Sequence, residues 1–237
     1  MVCLKLDLLG GFQAVPPSGP PLYVPTRKAQ ALLAFCAVPA GKVHQRDKLA
    51  SLLWGETGDD HARNSLRQSL FVLRTALGGD LSRTLHVEGD TIAANPLAVD
   101  VDVTKFERLA AESTPRSLEE AAALYKGDLL DGFVVDEEPF EEWLRQERER
   151  LRDLAMEVLA KLLRHQCTQR ATEVAVQTAR RLLALDPLQE SVHRSLMRLY
   201  VKAGRRDLAL RQYQACATAL KREMNLTPEP ATRRLHE

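Results

Sequence analysis

The sequence predicts a chain in two parts, an α+β N-terminal part and an all-α second part, and three observations carry that prediction. Residues 3 to 9 alternate, with Leu4, Leu6 and Leu8 on one side and Lys5 and Asp7 on the other, which is the period of a half-buried strand. From Val103 onward nearly every segment repeats its apolar residues at helical spacing. Compared with itself at an offset of about 34 residues, the second part places Leu162 on Leu196, Leu163 on Met197, Ala175 on Ala209, Ala179 on Tyr213 and Leu182 on Cys216, the period of tetratricopeptide helix hairpins. A length of 237 residues is ample for two domains of ordinary size.

The elements follow in order. Gly10-Gly11 permits a turn after the first strand. Phe12 to Val15 and Leu22 to Val24 read as further short strands, separated by the breaker run Pro16-Pro17-Ser18-Gly19-Pro20-Pro21. Three helical patterns come next: Arg27 to Val38 with Thr26 as N-cap, Asp47 to Trp54 closed by Gly55, and His61 to Leu77, preceded by Asp59-Asp60 and closed by Gly78-Gly79. Leu85 to Ala94 reads as a hairpin around Glu88-Gly89-Asp90. Sheet, three helices, hairpin is the order of a winged helix-turn-helix. Beyond Pro96 the texture changes, so residues 1–98 form one expected domain and 99–237 the other. In the second, Ala175 and Ala209 are the small residues that let two helices of a hairpin approach. Helices around Ser117 to Tyr125 and Glu141 to Gln166 supply neighbours for the repeat, Lys126-Gly127-Asp128 and Val134 to Pro139 interrupt the pattern, and Asp186-Pro187 ends one repeat.

Composition excludes several classes of function. A hydrophobic share of 45% beside 27% charged residues belongs to a packed globular protein, and 5% aromatics suits helices better than a sandwich. No apolar run approaches the roughly 18 residues that span a bilayer, and Met1-Val2-Cys3-Leu4-Lys5-Leu6-Asp7 is no signal peptide. Cys3, Cys36, Cys167 and Cys216 are scattered without metal-ligand spacing and read as reduced thiols of a cytoplasmic protein. His44, His61, His86, His165, His193 and His236 are dispersed and read as structural or solvent-facing; no nucleophile stands with a base, and no Gly-rich phosphate loop is present. Neither catalysis, a cofactor nor a metal is expected. The acidic run Asp136-Glu137-Glu138-Pro139 with Glu141-Glu142 reads as the start of a helix, with Pro139 and acids in its first turn. Trp54 reads as core packing.

The chemistry lies in the third helix. At about 100° per residue, Leu66, Leu70, Leu73 and Leu77 share one stripe that must pack inward. The opposite face then presents Asn64, Gln68, Phe71 and Thr75, with Arg63, Arg67 and Arg74 along one flank and no acid from His61 to Leu77. Arg can pair with guanine or hold phosphate, Asn and Gln can pair with adenine, and an outward Phe can pack on a thymine methyl. An amphipathic helix with a solvated polar face has the same spacing. Two features favour groove reading: three cations without a compensating acid, and an outward Phe that needs a partner. Residues 1–100 hold ten Lys plus Arg against nine Asp plus Glu, so the field is local and discrimination must come from direct contacts.

In these segments the chain resembles the SARP family of antibiotic regulatory proteins, which join an OmpR-type winged helix to a bacterial transcriptional activation domain. The resemblance is carried by Leu4-Lys5-Leu6-Asp7-Leu8-Leu9-Gly10, Lys28-Ala29-Gln30-Ala31-Leu32-Leu33-Ala34, Leu52-Leu53-Trp54-Gly55, Ala62-Arg63-Asn64-Ser65-Leu66-Arg67-Gln68, Leu73-Arg74 and Ala76-Leu77-Gly78. It continues in Val99-Asp100-Val101-Asp102, Gly127-Asp128-Leu129-Leu130, Glu138-Pro139-Phe140 and Leu226-Thr227-Pro228-Glu229-Pro230. It implies binding to promoter direct repeats of double-stranded DNA in the major groove, two copies on DNA or a homodimer, and contact with RNA polymerase through the helical domain. The wing departs from the family pattern, running Glu88-Gly89-Asp90-Thr91-Ile92 without the usual Tyr, and its two acids repel phosphate. Two other readings stay open: a scaffold whose winged helix binds protein, and the N-terminal regulatory part of a larger ATPase- or cyclase-linked regulator, since helical pattern still runs at Leu235-His236-Glu237.

Overall fold

The computed structural model describes residues 3–78 and 83–237; Gly79, the second glycine of the expected stop after the third helix, lies outside them. The chain divides into two compact units, one made of residues 1–111 and 123–151, the other of 112–122 and 152–237.

The first unit opens with β1 (Leu4–Asp7) and β2 (Gln13–Val15), paired antiparallel. Leu4, Leu6 and Leu8 are fully buried, as their alternation requires. Leu22–Val24 forms no strand: Leu22 donates one hydrogen bond to Ala14 (2.7 Å), but Pro20, Pro21 and Pro25 have no N–H with which to continue a ladder. Helix α1 (Arg27–Ala37) starts at Thr26, whose hydroxyl accepts from the Ala29 N–H at 3.2 Å. A two-residue strand β3 (His44–Gln45) leads into α2 (Arg46–Trp54). After the turn Gly55–Gly58 comes α3 (Asp59–Leu77), which starts two residues before the expected His61 and so takes Asp59 and Asp60 into its first turn, where acids favour the helix dipole. The hairpin is β4 (Leu85–Glu88) and β5 (Thr91–Ala94), with Gly89 at φ +52° in its two-residue turn and β5 also pairing with β3. Then β6 (Val99–Val101), too short to stand out in the sequence, pairs parallel to β1.

Asp102, the first residue of α4 (Asp102–Glu112), is buried, and one of its carboxylate oxygens accepts from both the Leu8 and Leu9 N–H groups at 2.8 Å. Burial, against the pull of those two donors, raises its pKa from 3.8 to about 6.

Residues 123–151 complete this unit. Gly10 donates to Asp128 (3.0 Å) and Leu130 to Leu8 (2.8 Å), so the Gly127–Leu130 stretch lies beside the end of β1. A Cβ on Gly127 would stand 3.3 Å from the Gly10 Cα, and one on Gly10 3.2 Å from the Lys126 Cβ, so a side chain at either position would press the two segments apart, and at Gly10 the φ of +100° favours glycine as well. Arg148 holds the carbonyls of Leu129 (2.8 Å) and Leu130 (2.5 Å). Phe35 of α1 stacks edge-on against Trp143 at 4.7 Å, and Trp143 against Phe140 at 5.3 Å.

The second unit takes in α5 (Pro115–Leu124) up to residue 122, the latter part of α6 (Glu138–Thr168), and α7 (Thr172–Leu185), α8 (Glu190–Lys202), α9 (Arg206–Met224) and α10 (Pro230–His236). The offset read from the sequence holds in three dimensions. Leu162, Leu163, Leu196 and Met197 are buried on the first helices of two hairpins, Ala175, Ala179, Leu182, Ala209 and Cys216 on the second. Only Tyr213 is half-buried, stacking on His236 of α10 at 4.0 Å. His193 ties α8 to α9: its Nε2 lies 2.9 Å from the Pro187 carbonyl and its Nδ1 2.7 Å from the Gln212 amide nitrogen, which fits a neutral ring with the proton on Nε2. Glu190 accepts from the Glu229 N–H and the Thr232 hydroxyl, and Arg194 donates to both Glu229 (3.0 Å) and Thr232 (2.8 Å), so the Leu226–Pro230 segment anchors α10. Among the described residues no helix is long and apolar enough to cross a membrane.

Candidate nucleic-acid interface

α2 and α3 are the helix pair of a helix-turn-helix, and the burial of α3 separates its two faces cleanly. Ala62, Leu66, Ser69, Leu70, Leu73 and Leu77 are buried, while Arg63, Asn64, Arg67, Gln68, Phe71, Arg74 and Thr75 are all exposed. Phe71 has 70% of its surface in solvent. The helix therefore brings all seven expected residues to one surface.

Their electrostatics differ from the expectation at one position. Arg63 is compensated after all: its Nε donates to Asp47 of α2 at 3.0 Å, and Asp60 stands 3.8 Å away. The sequence showed no acid on α3 near Arg63 beyond its first turn, but the partner comes from the other helix of the motif, across 16 residues. Both members are more than half exposed, where water and salt screen the attraction, so a phosphate can exchange with the carboxylate. Arg67 reaches back to the Asn64 side-chain oxygen at 3.3 Å, and the Thr75 hydroxyl bonds the Phe71 carbonyl at 3.0 Å. The latter satisfies that hydroxyl without removing it from the face.

Beside the arginine flank lies a cleft of about 630 Å³ between the start of α2, α3 and the hairpin turn, lined by Arg46, Arg63, Arg67, Asp47 and Asp90 among others. The Arg46 N–H donates to the Asp90 carbonyl at 2.9 Å, which fixes the tip of the hairpin to α2. The cleft mixes three cations with two acids, and Glu88 adds a third acid on the hairpin. Arg46 escaped the sequence reading because β3, which sets the start of α2, is only two residues long.

The acidic run before α6 does more than sit at a helix start. Glu137 is buried; one carboxylate oxygen accepts from Lys28 of α1 at 2.6 Å and the other from the Gly55 N–H at the end of α2 at 3.1 Å. The Lys28 ammonium also lies 5.6 Å from the centre of the buried Trp54 ring. Glu137 thus fixes the position of both helices on which α3 packs. Its burial had no signature in a run of five acids within seven residues.

No curated protein sequence matches the chain. Residues 101–237 match the family model of the bacterial transcriptional activator domain. Among solved structures, Mycobacterium tuberculosis EmbR, in complex with a low affinity phosphopeptide, superposes with a TM-score of 0.72 at 23% identity, over 100% of this chain and 64% of the EmbR chain. The present chain spans less than two thirds of that protein, and the likeness is one of fold. The matched domain takes in more than half of the residues, and so the chain belongs to the bacterial transcriptional activator domain family, with a two-part fold like that of EmbR.

Proposed function

We propose that this regulator reads double-stranded promoter DNA by laying α3 in the major groove, with residues 1–98 as the reading domain and 99–237 as the activation domain. Asn64, Gln68 and Phe71 face base edges, and Arg67 and Arg74 take guanine or phosphate, with Arg63 joining them once it leaves Asp47. The observation that carries this reading is the exposed face of α3, which holds three arginines, two amides, a hydroxyl and an outward Phe with no acid from His61 to Leu77. An outward aromatic is a costly ornament on a solvated helix and a useful one against a thymine methyl.

With a nearly neutral first hundred residues and an acidic wing, one copy holds DNA weakly, so two copies bind a direct repeat. The helical domain then meets RNA polymerase, and the site of action is the cytoplasm of a bacterium. Selection of genomic fragments bound by the purified chain at near-physiological salt tests this. A short repeated motif that is lost with Arg67→Ala is the expected result. Recovery of unrelated fragments by both proteins refutes direct reading and favours a winged helix that binds protein.

A further inference from the structure

We propose that Tyr23 is a DNA-contacting residue, placed to meet the sugar-phosphate strand on the side of the groove that the arginines of α3 leave uncovered. This rests on the reading of α3 as the groove-reading helix. Tyr23 is the most exposed large apolar side chain among the described residues, at 80%. Its exposure is built into the chain. Leu22 on one side is pinned by its N–H to Ala14 at 2.7 Å; Val24 on the other is buried, and its carbonyl accepts from the Gln30 amide at 2.7 Å. Two residues later Thr26 caps α1. An extended segment fixed at both ends has to point its middle side chain outward.

The place to which it points gives the residue its use. Tyr23 and Pro25 form one wall of a recess of about 250 Å³ whose other wall is Phe71, Val72, Thr75 and Ala76 of α3. At about 100° per residue, Arg63, Arg67 and Arg74 lie within roughly 40° of one another on α3, Phe71 and Thr75 follow at roughly 60° and 100° from their centre, and Val72 and Ala76 lie on the far flank. Tyr23 therefore stands across the reading face from the arginines. A major groove of about 12 Å just admits a helix of about 10–12 Å, so both backbone strands lie at contact distance from its flanks. The arginines serve one strand. On the other, the Tyr23 hydroxyl donates to a phosphate oxygen while its ring covers the sugar beside Phe71. The electrostatics suit an anion. No acidic residue occurs between Asp7 and Asp47 or between Asp60 and Asp80, so neither wall of the recess bears a negative charge, in contrast to the cleft on the arginine side with Asp47 and Asp90.

The test measures Kd for the whole chain on a duplex carrying the selected site and on an unrelated duplex of equal length, with Tyr23→Phe, Tyr23→Ala and Arg67→Ala as variants. Tyr23→Phe removes only the hydroxyl and is expected to weaken binding to both duplexes by about tenfold, leaving the ratio between them unchanged, because a phosphate contact carries no sequence information. Scanning single methylphosphonates along the site should reveal one position where wild type loses about tenfold and Tyr23→Phe loses nothing further. If Arg67→Ala weakens specific binding while both Tyr23 variants bind as wild type, the Tyr23 contact is refuted and the reading of α3 stands. If Arg67→Ala has no effect either, the groove-reading assignment itself fails. Tyr23 variants that alter only self-association in sedimentation, with single-site affinity unchanged, would assign the recess to a second copy of the chain and overturn the proposal.

Discussion

Asp102 offers the sharpest test of how the fold is held, because its ionisation opposes the structure it supports. Its carboxylate is buried, accepts two backbone N–H groups of the β1 end through one oxygen, and leaves the other oxygen without a partner. Burial is the largest influence and favours the neutral acid, raising the pKa to about 6 from 3.8. The folded pKa lies above the unfolded one, so the contribution to stability is complete below pH 3.8 and is lost as pH rises toward 6. A gap of about two units corresponds to about 3 kcal/mol between the two ends of that window. Asp102→Asn keeps an oxygen for the Leu8 and Leu9 N–H groups and removes the titration. Other groups also titrate here, so the informative quantity is the difference in unfolding free energy between Asp102→Asn and wild type, from urea melts at half-unit steps between pH 4 and pH 7.5. It should move in favour of Asn by about 1 kcal/mol per pH unit through the middle of the window and level off above pH 6. Any constant penalty of the amide displaces the whole curve without changing its slope. A flat difference, or one that favours Asp as pH rises, would show that the two N–H donors outweigh burial and would refute the argument.

Three further outcomes follow from contacts described above. Asp47→Asn frees Arg63 from its competing partner and should tighten DNA binding by up to about fivefold, while melting temperature stays within a degree or two; an unchanged Kd in a titration at fixed salt means that Arg63 does not reach the DNA. Glu137→Ala leaves the Lys28 ammonium and the Gly55 N–H without their buried acceptor and should cost about 3 kcal/mol in denaturant unfolding, with Lys28→Met recovering part of the loss in a double-mutant cycle; additive effects would deny the coupling. His193→Ala breaks the bridge between Pro187 and Gln212 and should cost about 2 kcal/mol, with Gln212→Ala adding little in its presence.

What was legible in the sequence was what periodicity controls. The alternation of Leu4, Leu6 and Leu8, the stripe of Leu66, Leu70, Leu73 and Leu77, and the recurrence of Ala175 at Ala209 each fix a buried face by local geometry, and the structure buries those faces. The outward set from Arg63 to Thr75 was legible for the same reason, since one face of a helix determines the other. What escaped depends on residues distant in sequence. Asp47 beside Arg63, Glu137 beneath Lys28 and Gly55, and β6 alongside β1 are pairings over 16, 109, 82 and roughly 95 residues. Nothing in the local pattern of either partner announces them. Tyr23 escaped because Leu22–Val24 read as a strand, whose ladder the flanking prolines prevent.

The Gly127–Leu130 stretch has a consequence for how such regulators can be recombined. Leu129 and Leu130 are fully buried in the same compact unit as β1, and the backbone groups of Leu8 and Gly10 are satisfied by them and their neighbours. An N-terminal part transplanted as residues 1–98 would lose β6 from the edge of β1, the Asp102 acceptor of the Leu8 and Leu9 N–H groups and the Gly127–Leu130 cover, and would arrive with an unpaired strand edge, adhesive in a crowded cell. Exchange of N-terminal parts between related chains would have to carry the segment through Leu151 as well, so the compact unit is larger than the helices and hairpin that surround the exposed face of α3. A cut at residue 98 parts β1 from its cover, and a cut within α6 keeps the first unit whole while carrying residues 112–122 of the second unit with it.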